Sequence, residues 1–154
     1  MPAFYVDTSA LVKRYVGEAG TIWVRRTLAR PVRQGIYTAL LAQPEVLSAL
    51  QRKVRDRTLA AAEAPRLARR VQRHFARHYR LVAITPARVV QANILVQTYP
   101  LRAYDALHLA CALAVWETLQ QYGLPPPLFV AADDALLAAA SAEGFPVENP
   151  LRHP

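Results

Sequence analysis

Residues 125–150 read PPPLFVAADDALLAAASAEGFPVENP, and the order of residue types in this stretch decides the fold. The three prolines form a stiff lead-in, because each fixes its own φ and has no N–H to offer. An apolar run at 128–131 follows, with the length of a buried strand. Asp133 and Asp134 come next, and a carboxylate at that point suits a helix start, where it accepts hydrogen bonds from unpaired backbone N–H groups. The alanine-rich segment from Asp134 reads as a helix, and a last short strand is expected near Val147. Strand, helix and strand in succession make a βαβ unit, which requires parallel strands and a right-handed crossover.

The same alternation continues outward along the chain. AFYV at 3–6 is a short β-type run that ends at Asp7, and TSALVKRYV after it looks helical. EAGTIWVRRTLA at 18–29 reads as a second helix, with Ile22, Leu28 and flanking alanines on one side. GIYTA is a short strand. In LLAQPEVLSALQRKV the residues Val46, Leu47, Leu50 and Val54 recur at helical spacing, and Pro44 suits a first turn. Residues 59–80 form a long amphipathic segment with Leu67, Val71, Phe75 and Tyr79 on one side and Arg66, Arg70, Arg73, Arg77 and Arg80 around the other; Pro65 either breaks this helix or begins its main part. LVAIT at 81–85 is a strand, ARVVQANILVQTY a helix, and LRAYDALHLACALAVWETL at 101–119 a helix apolar enough to be buried. The expectation is an α/β fold with a mostly parallel central sheet.

Composition sets the bounds. A chain of 154 residues that is 53% hydrophobic is expected to form one domain, 1–154, with a real core. No apolar run approaches the roughly 18 residues of a membrane span. The start, MPAFYVDTSA, lacks the basic and apolar regions of a signal peptide. A single cysteine, Cys111, in an apolar helix reads as a buried thiol in a cytoplasmic protein. The net charge is +8, and of 19 basic residues only Lys13 and Lys53 are lysine. Arginine pairs well with phosphate or carboxylate, so the balance suits a polyanionic partner.

Against that excess of cations, the chain has 11 acids, and several fall where α/β sheets gather ligands, outside the carboxyl ends of strands. Asp7 ends the first strand. Asp133 and Asp134 follow the 128–131 strand, Asp105 opens the buried helix and Glu45 lies in the first turns of another. Each has an ordinary explanation as a helix cap or a favourable charge at a helix N-terminus. Their joint placement does not. Two carboxylates 4 Å apart repel by about 1 kcal/mol in water and about 4 kcal/mol at an effective dielectric near 20. Four in one pocket must take up protons or share a cation, and a hard divalent ion such as Mg²⁺ or Mn²⁺ takes oxygen ligands. Zinc is disfavoured, since Cys111 and the four histidines (74, 78, 108 and 153) show no zinc-site spacing.

FYVDTSALVKRYVGE, QPEVLSAL, LRAYDALHLACAL and LFVAADDALLAAASAEGFPVENP together resemble, in order and spacing, the four blocks of PIN-domain ribonucleases, and in particular the VapC-type toxins of prokaryotic toxin–antitoxin pairs. The resemblance implies a three-layer α/β/α PIN-like fold and an acidic pocket of Asp7, Glu45, Asp105 and Asp133. It implies Mg²⁺-dependent hydrolysis of RNA phosphodiester bonds, with Mn²⁺ as a substitute ion. Asp7 and Asp105 would be the innermost metal ligands, with Glu45 and Asp133 binding directly, through water, or as a base. Ser9 would help to orient the metal-bound water. Where the family often has a hydroxyl residue two positions before the late aspartate, this chain has Ala131, and Asp134 is the alternative fourth acid.

Lys13 and Arg102, flanking these acids, are the candidate substrate-holding cations. His108, three residues after Asp105, reads as a packed, hydrogen-bonded histidine, and the arginines of 66–80 as a solvated face, an RNA track or a surface for an acidic antitoxin segment. A homodimer and a VapB-like antitoxin are the implied partners. Two rival readings keep the fold: a housekeeping RNA-processing nuclease, and a non-catalytic RNA- or protein-binding module.

Overall fold

The computed structural model describes residues 2–29 and 35–153. Its sheet has five strands: β1 (Phe4–Val6), β2 (Ile36–Ala39), β3 (Arg80–Val82), β4 (Leu128–Val130) and β5 (Val147–Glu148). They lie in the order β3-β2-β1-β4-β5, and every pairing is parallel. Phe4 stands opposite both Ile36 and Leu128, so β1 is the central strand. The crossovers are α1 (Thr8–Leu11) with a 3-10 turn at Val12–Arg14, α2 (Thr21–Ala29), α3 (Ala42–Arg55), α4 (Ala64–Arg77), α5 (Pro86–Thr98), α6 (Ala103–Gln120) and α7 (Asp134–Ala142). No helix among the described residues is long and apolar enough to cross a membrane.

Side-chain alternation along the strands builds two cores. Phe4, Val6 and Val130 face one way and meet Val46, Leu50, Leu67, Val71 and Phe75 of α3 and α4. Tyr5 and Phe129 face the other way and meet Leu95, Leu109 and Leu136 of α5, α6 and α7. The period-2 geometry of a strand thus turns a two-sided apolar sheet into the middle of three layers, α/β/α.

Three local expectations, on Ile22, Arg80 and the end of β3, are corrected, and the choice left open at Pro65 is decided. Ile22 is 60% exposed, and Thr21, Val24 and Leu28 are the buried residues of α2; the helix starts at Thr21, not Glu18, and its inward stripe runs at i, i+3, i+7 through those three residues. Pro65 begins α4, lying in its first turn, where its missing N–H is harmless. Arg80 is not part of the helical arginine face: it starts β3 and donates to the Tyr37 hydroxyl at 2.9 Å. β3 itself ends at Val82, leaving Thr85 outside the strand to cap α5 by accepting from the Arg88 N–H.

Tyr79, just past α4, is buried as its spacing suggested. Its hydroxyl takes a hydrogen bond from Arg14 at 2.8 Å and lies 2.9 Å from the Tyr15 hydroxyl, which is itself 3.0 Å from Nδ1 of His74. This polar knot fastens α4 to the segment after α1.

The sheet order also places the ligand crevice. From β1 the chain moves to β2 and β3 on one side, then returns to β4 on the other. Between β1 and β4 the successive crossovers therefore diverge, leaving an opening at the carboxyl ends of those strands. The Asp7 N–H donates to the Val130 carbonyl at 2.9 Å, which brings the ends of β1 and β4 together at this opening.

Candidate active site

Asp7 leaves β1 and caps α1. Its carboxylate accepts from the Ser9 N–H at 3.0 Å and from the Ser9 hydroxyl at 2.6 Å. The Ser9 Oγ in turn accepts from the Ala132 N–H at 2.9 Å. One serine therefore ties the first acid to the loop that carries the last, and supplies a polar link beside Ala131. Asp133 caps α7, with Oδ1 accepting from the Leu136 N–H at 2.9 Å. For these two acids the capping role and the site role coincide, because a carboxylate at a strand-to-helix junction has one oxygen for the helix and another for the crevice.

Asp105 is different. It is in the first turn of α6 but does not cap it: Arg102 is the N-cap residue, and no side chain caps this helix. Its partner is the Arg102 Nε at 3.1 Å. Glu45, in the first turn of α3, reaches across to Nε2 of His108 at 2.9 Å. Asp7, Glu45, Asp105 and Asp133 all line one cavity of about 910 Å³, with Thr8, Ser9 and Arg102. Asp134 is absent from that lining; its side chain is 80% exposed, accepts from the Asn149 side-chain N–H at 3.0 Å and pairs with Arg152 at 3.7 Å. The two neighbouring aspartates thus have separate surroundings.

His108 and Arg102 divide the four acids between them. His108, only 1% exposed, lies 2.9 Å from Glu45 and 3.6 Å from Asp7. Its Nδ1 is 3.1 Å from the Tyr5 hydroxyl and its Nε2 is 3.2 Å from the Thr8 hydroxyl. Burial alone would push its pKa down, but Asp7 and Glu45 outweigh burial and hold it above the usual imidazole value. Arg102, with an 81% exposed side chain, bonds Asp105 and reaches to 3.8 Å from Asp133. The Asp105 carboxyl is raised above the ordinary aspartate range: burial raises it, Arg102 opposes, and the charges of Asp7 and Asp133 add to the rise.

Lys13, expected beside substrate, is buried, and its ammonium lies 3.0 Å from Glu18. Glu18 also receives Lys53 at 2.9 Å, and Glu18 and Lys53 line the cavity while Lys13 supports them from behind. His108 is packed and hydrogen-bonded as its sequence setting suggested, but its partners include two of the four acids, and that connection was missed. Its position three residues after Asp105 was the available signal. Thr8 adjoins Asp7 in the chain, but nothing local in the sequence marks Glu18 or Lys53 as neighbours of the acids.

The donor set is all oxygen, which is the chemistry of a hard divalent cation. Among the described residues, no group of three or more His, Cys, Asp or Glu side chains is drawn together as a metal cage. Mg²⁺ does not require one, since it keeps several waters and is bound through one or two carboxylates with substrate phosphate completing the shell. The residues present therefore fit such an ion.

Comparison with known proteins identifies the family. Residues 4–142 match the PIN domain. Ribonuclease VapC45 and Ribonuclease VapC49, from two strains of Mycobacterium tuberculosis, are each 37% identical over 118 residues, covering 75% of this chain and 78% of theirs. A chain from a toxin–antitoxin complex of Klebsiella pneumoniae has the same fold, with a TM-score of 0.58 at 19% identity over 96% of this chain and 97% of that one. With β1 and β4 carrying acids at the switch point and the match running through α7, this chain belongs to the PIN-domain family, among its VapC-type nucleases.

Proposed function

We propose that this chain is a Mg²⁺-dependent endoribonuclease and the toxin of a VapBC-type pair, acting in the cytoplasm as a homodimer of a domain spanning 1–154. The carrying observation is that Asp7, Glu45, Asp105 and Asp133, from four separate segments, all line one cavity. Ser9 and His108 support two of these acids, so the pocket is built rather than incidental. The ribonuclease names of the mycobacterial relatives support RNA as substrate, as does the charge of +8. The Klebsiella pneumoniae complex suits an antitoxin partner, through its fold alone.

In this reading Asp7 and Asp105 would hold the ion, and Glu45 and Asp133 would assist them or accept a proton. When bound, the ion activates water and offsets charge on the scissile phosphate. Ser9 keeps one Asp7 oxygen engaged, and His108 fixes the direction of Glu45. Arg102 moves between its carboxylate partners and a substrate phosphate, for which its planar donors are suited. Lys13 acts through Glu18 and not by direct contact.

The test is cleavage of single-stranded RNA by wild type and Asp7→Asn, each with Mg²⁺ and with EDTA. Cleavage is expected only for wild type with Mg²⁺. Equal cutting by Asp7→Asn would reject the catalytic assignment. Mg²⁺-dependent cutting with no toxicity on expression would favour the housekeeping nuclease, and no cutting in any sample would favour the binding module.

A further inference from the structure

The cavity is larger than an ion and one phosphate require. At about 910 Å³ it is near the top of the roughly 300–1,000 Å³ range of pockets that enclose a drug-sized ligand. Its lining changes character along α3. Glu45 is at the acidic end, and Arg52, two helical turns later on the same helix, also faces the cavity. Seven residues of helix advance about 10.5 Å, so the two mark separate points on a chain-like ligand. Lys53 is beside Arg52 and shares Glu18 with Lys13, and Asp56 also lines this end, so with Lys13 behind the wall three cations face two acids, one positive charge in excess. The Arg52 side chain is exposed and has no hydrogen bond or ion pair among the described residues.

On the other helical layer, Tyr104 precedes Asp105 and lines the same cavity. Its ring is 63% exposed, and its hydroxyl has no hydrogen bond among the described residues. An aromatic ring held beside the acids and covered by nothing is suited to an unpaired base, since every base offers a face for stacking. A duplex keeps its bases stacked on each other and offers mainly backbone.

Building on the nuclease reading, we infer that Tyr104 and Arg52 are substrate-gripping residues that select single-stranded RNA. Tyr104 stacks on a base next to the scissile phosphate, and Arg52 holds a backbone phosphate further along α3. The strand thus crosses the acidic centre between one stacking contact and one ionic contact.

The experiment measures anisotropy of a fluorescein-labelled single-stranded RNA, and of its duplex, with Asp7→Asn protein so that the RNA stays uncut. Cleavage by the same substitutions in otherwise wild-type protein is measured in parallel, with thermal unfolding to show that each is folded. Tyr104→Ala is expected to weaken single-strand binding by about 5- to 100-fold, to leave duplex binding unchanged, and to raise KM more than it lowers kcat. Tyr104→Phe should restore binding to within about twofold, since the ring persists. Arg52→Ala should reduce the slope of log affinity against log salt by about one phosphate contact, whereas Tyr104→Ala should not change that slope. Equal binding by folded Tyr104→Ala, or equal loss in Tyr104→Phe, would overturn the stacking role, and an unchanged slope in Arg52→Ala the phosphate contact. If wild type neither cuts nor binds RNA, the nuclease reading fails and takes this site with it; cutting that is indifferent to both substitutions rejects the site alone.

Discussion

The two halves of the acidic pocket solve one electrostatic problem in opposite ways. Asp7 and Glu45 are joined by His108, a buried imidazole locked by Tyr5 and Thr8. Asp105 and Asp133 are joined by Arg102, whose side chain is 81% exposed. A buried partner removed leaves its acids uncompensated in low dielectric; an exposed partner removed is replaced by water. The first half is thus a fixed strut and the second a clamp that can open, and the difference sets where mutations should harm stability and where they should harm only binding.

The largest expected effect tests the strut. His108→Leu keeps an apolar side chain of similar bulk but deprives Asp7 and Glu45 of their shared partner. Loss of one member of a buried pair costs about 3 kcal/mol or more, which for a chain of this size lowers Tm by about 6–12 °C. His108→Gln, able to donate one hydrogen bond, should recover part of that loss. A His108→Leu protein as stable as wild type would erase the contrast between the halves.

Asp105→Asn sharpens it from the other side. The Asp105 pKa is raised in the folded chain, chiefly by burial and also by Asp7 and Asp133 against the pull of Arg102. A carboxyl with a raised folded pKa is destabilising when ionised, so at pH 7 the neutral asparagine should raise Tm while abolishing cleavage. That advantage should shrink as pH falls through the carboxyl range and wild-type Asp105 takes up its own proton. Differential scanning fluorimetry across pH measures both signs; a lower Tm for Asp105→Asn at pH 7 would mean that the Arg102 attraction dominates.

His74 supplies a control on the meaning of burial. It is buried like His108, but its charged neighbours are cations, among them Arg14, Arg70 and Arg73. Burial first, then those charges, lower its pKa to about 4. The unfolded value is near 6.5, so between about 6.5 and 4 the unfolded chain binds a proton that the folded chain refuses. Stability from His74 is therefore present above about 6.5 and lost as pH falls toward 4. His74→Asn should flatten that part of the pH–Tm profile. An unchanged slope would show that other groups govern it.

These contrasts also explain what could be read in the sequence. The alternation of apolar runs and helical stripes made the sheet and its layers legible, because the three inner strands β2, β1 and β4 are mostly buried and α3 and α4 each bury one stripe. Asp7, Asp105 and Asp133 were legible as acids at element ends. What joins them was not. His108 meets Glu45 across 63 residues and Tyr5 across 103, and Lys53 meets Glu18 across 35; such pairings depend on the crossovers, not on local pattern. Ile22 failed for a simpler reason: six residues before Leu28, it lies roughly 120° round the helix from it, off the stripe of Thr21, Val24 and Leu28 that packs inward.

The smallest stability effect should come from Arg102→Ala, and it is the one that identifies the clamp. Both contacts of Arg102 are made by an exposed side chain, so its removal should change stability by no more than about 0.5 kcal/mol. RNA binding should nevertheless weaken, and the salt dependence of affinity should fall by about one phosphate contact. Those outcomes can occur together only if the guanidinium exchanges carboxylate for phosphate when RNA arrives. A large fall in Tm would make Arg102 a second strut, and unchanged salt dependence would leave it a companion of the two aspartates with no part in holding RNA.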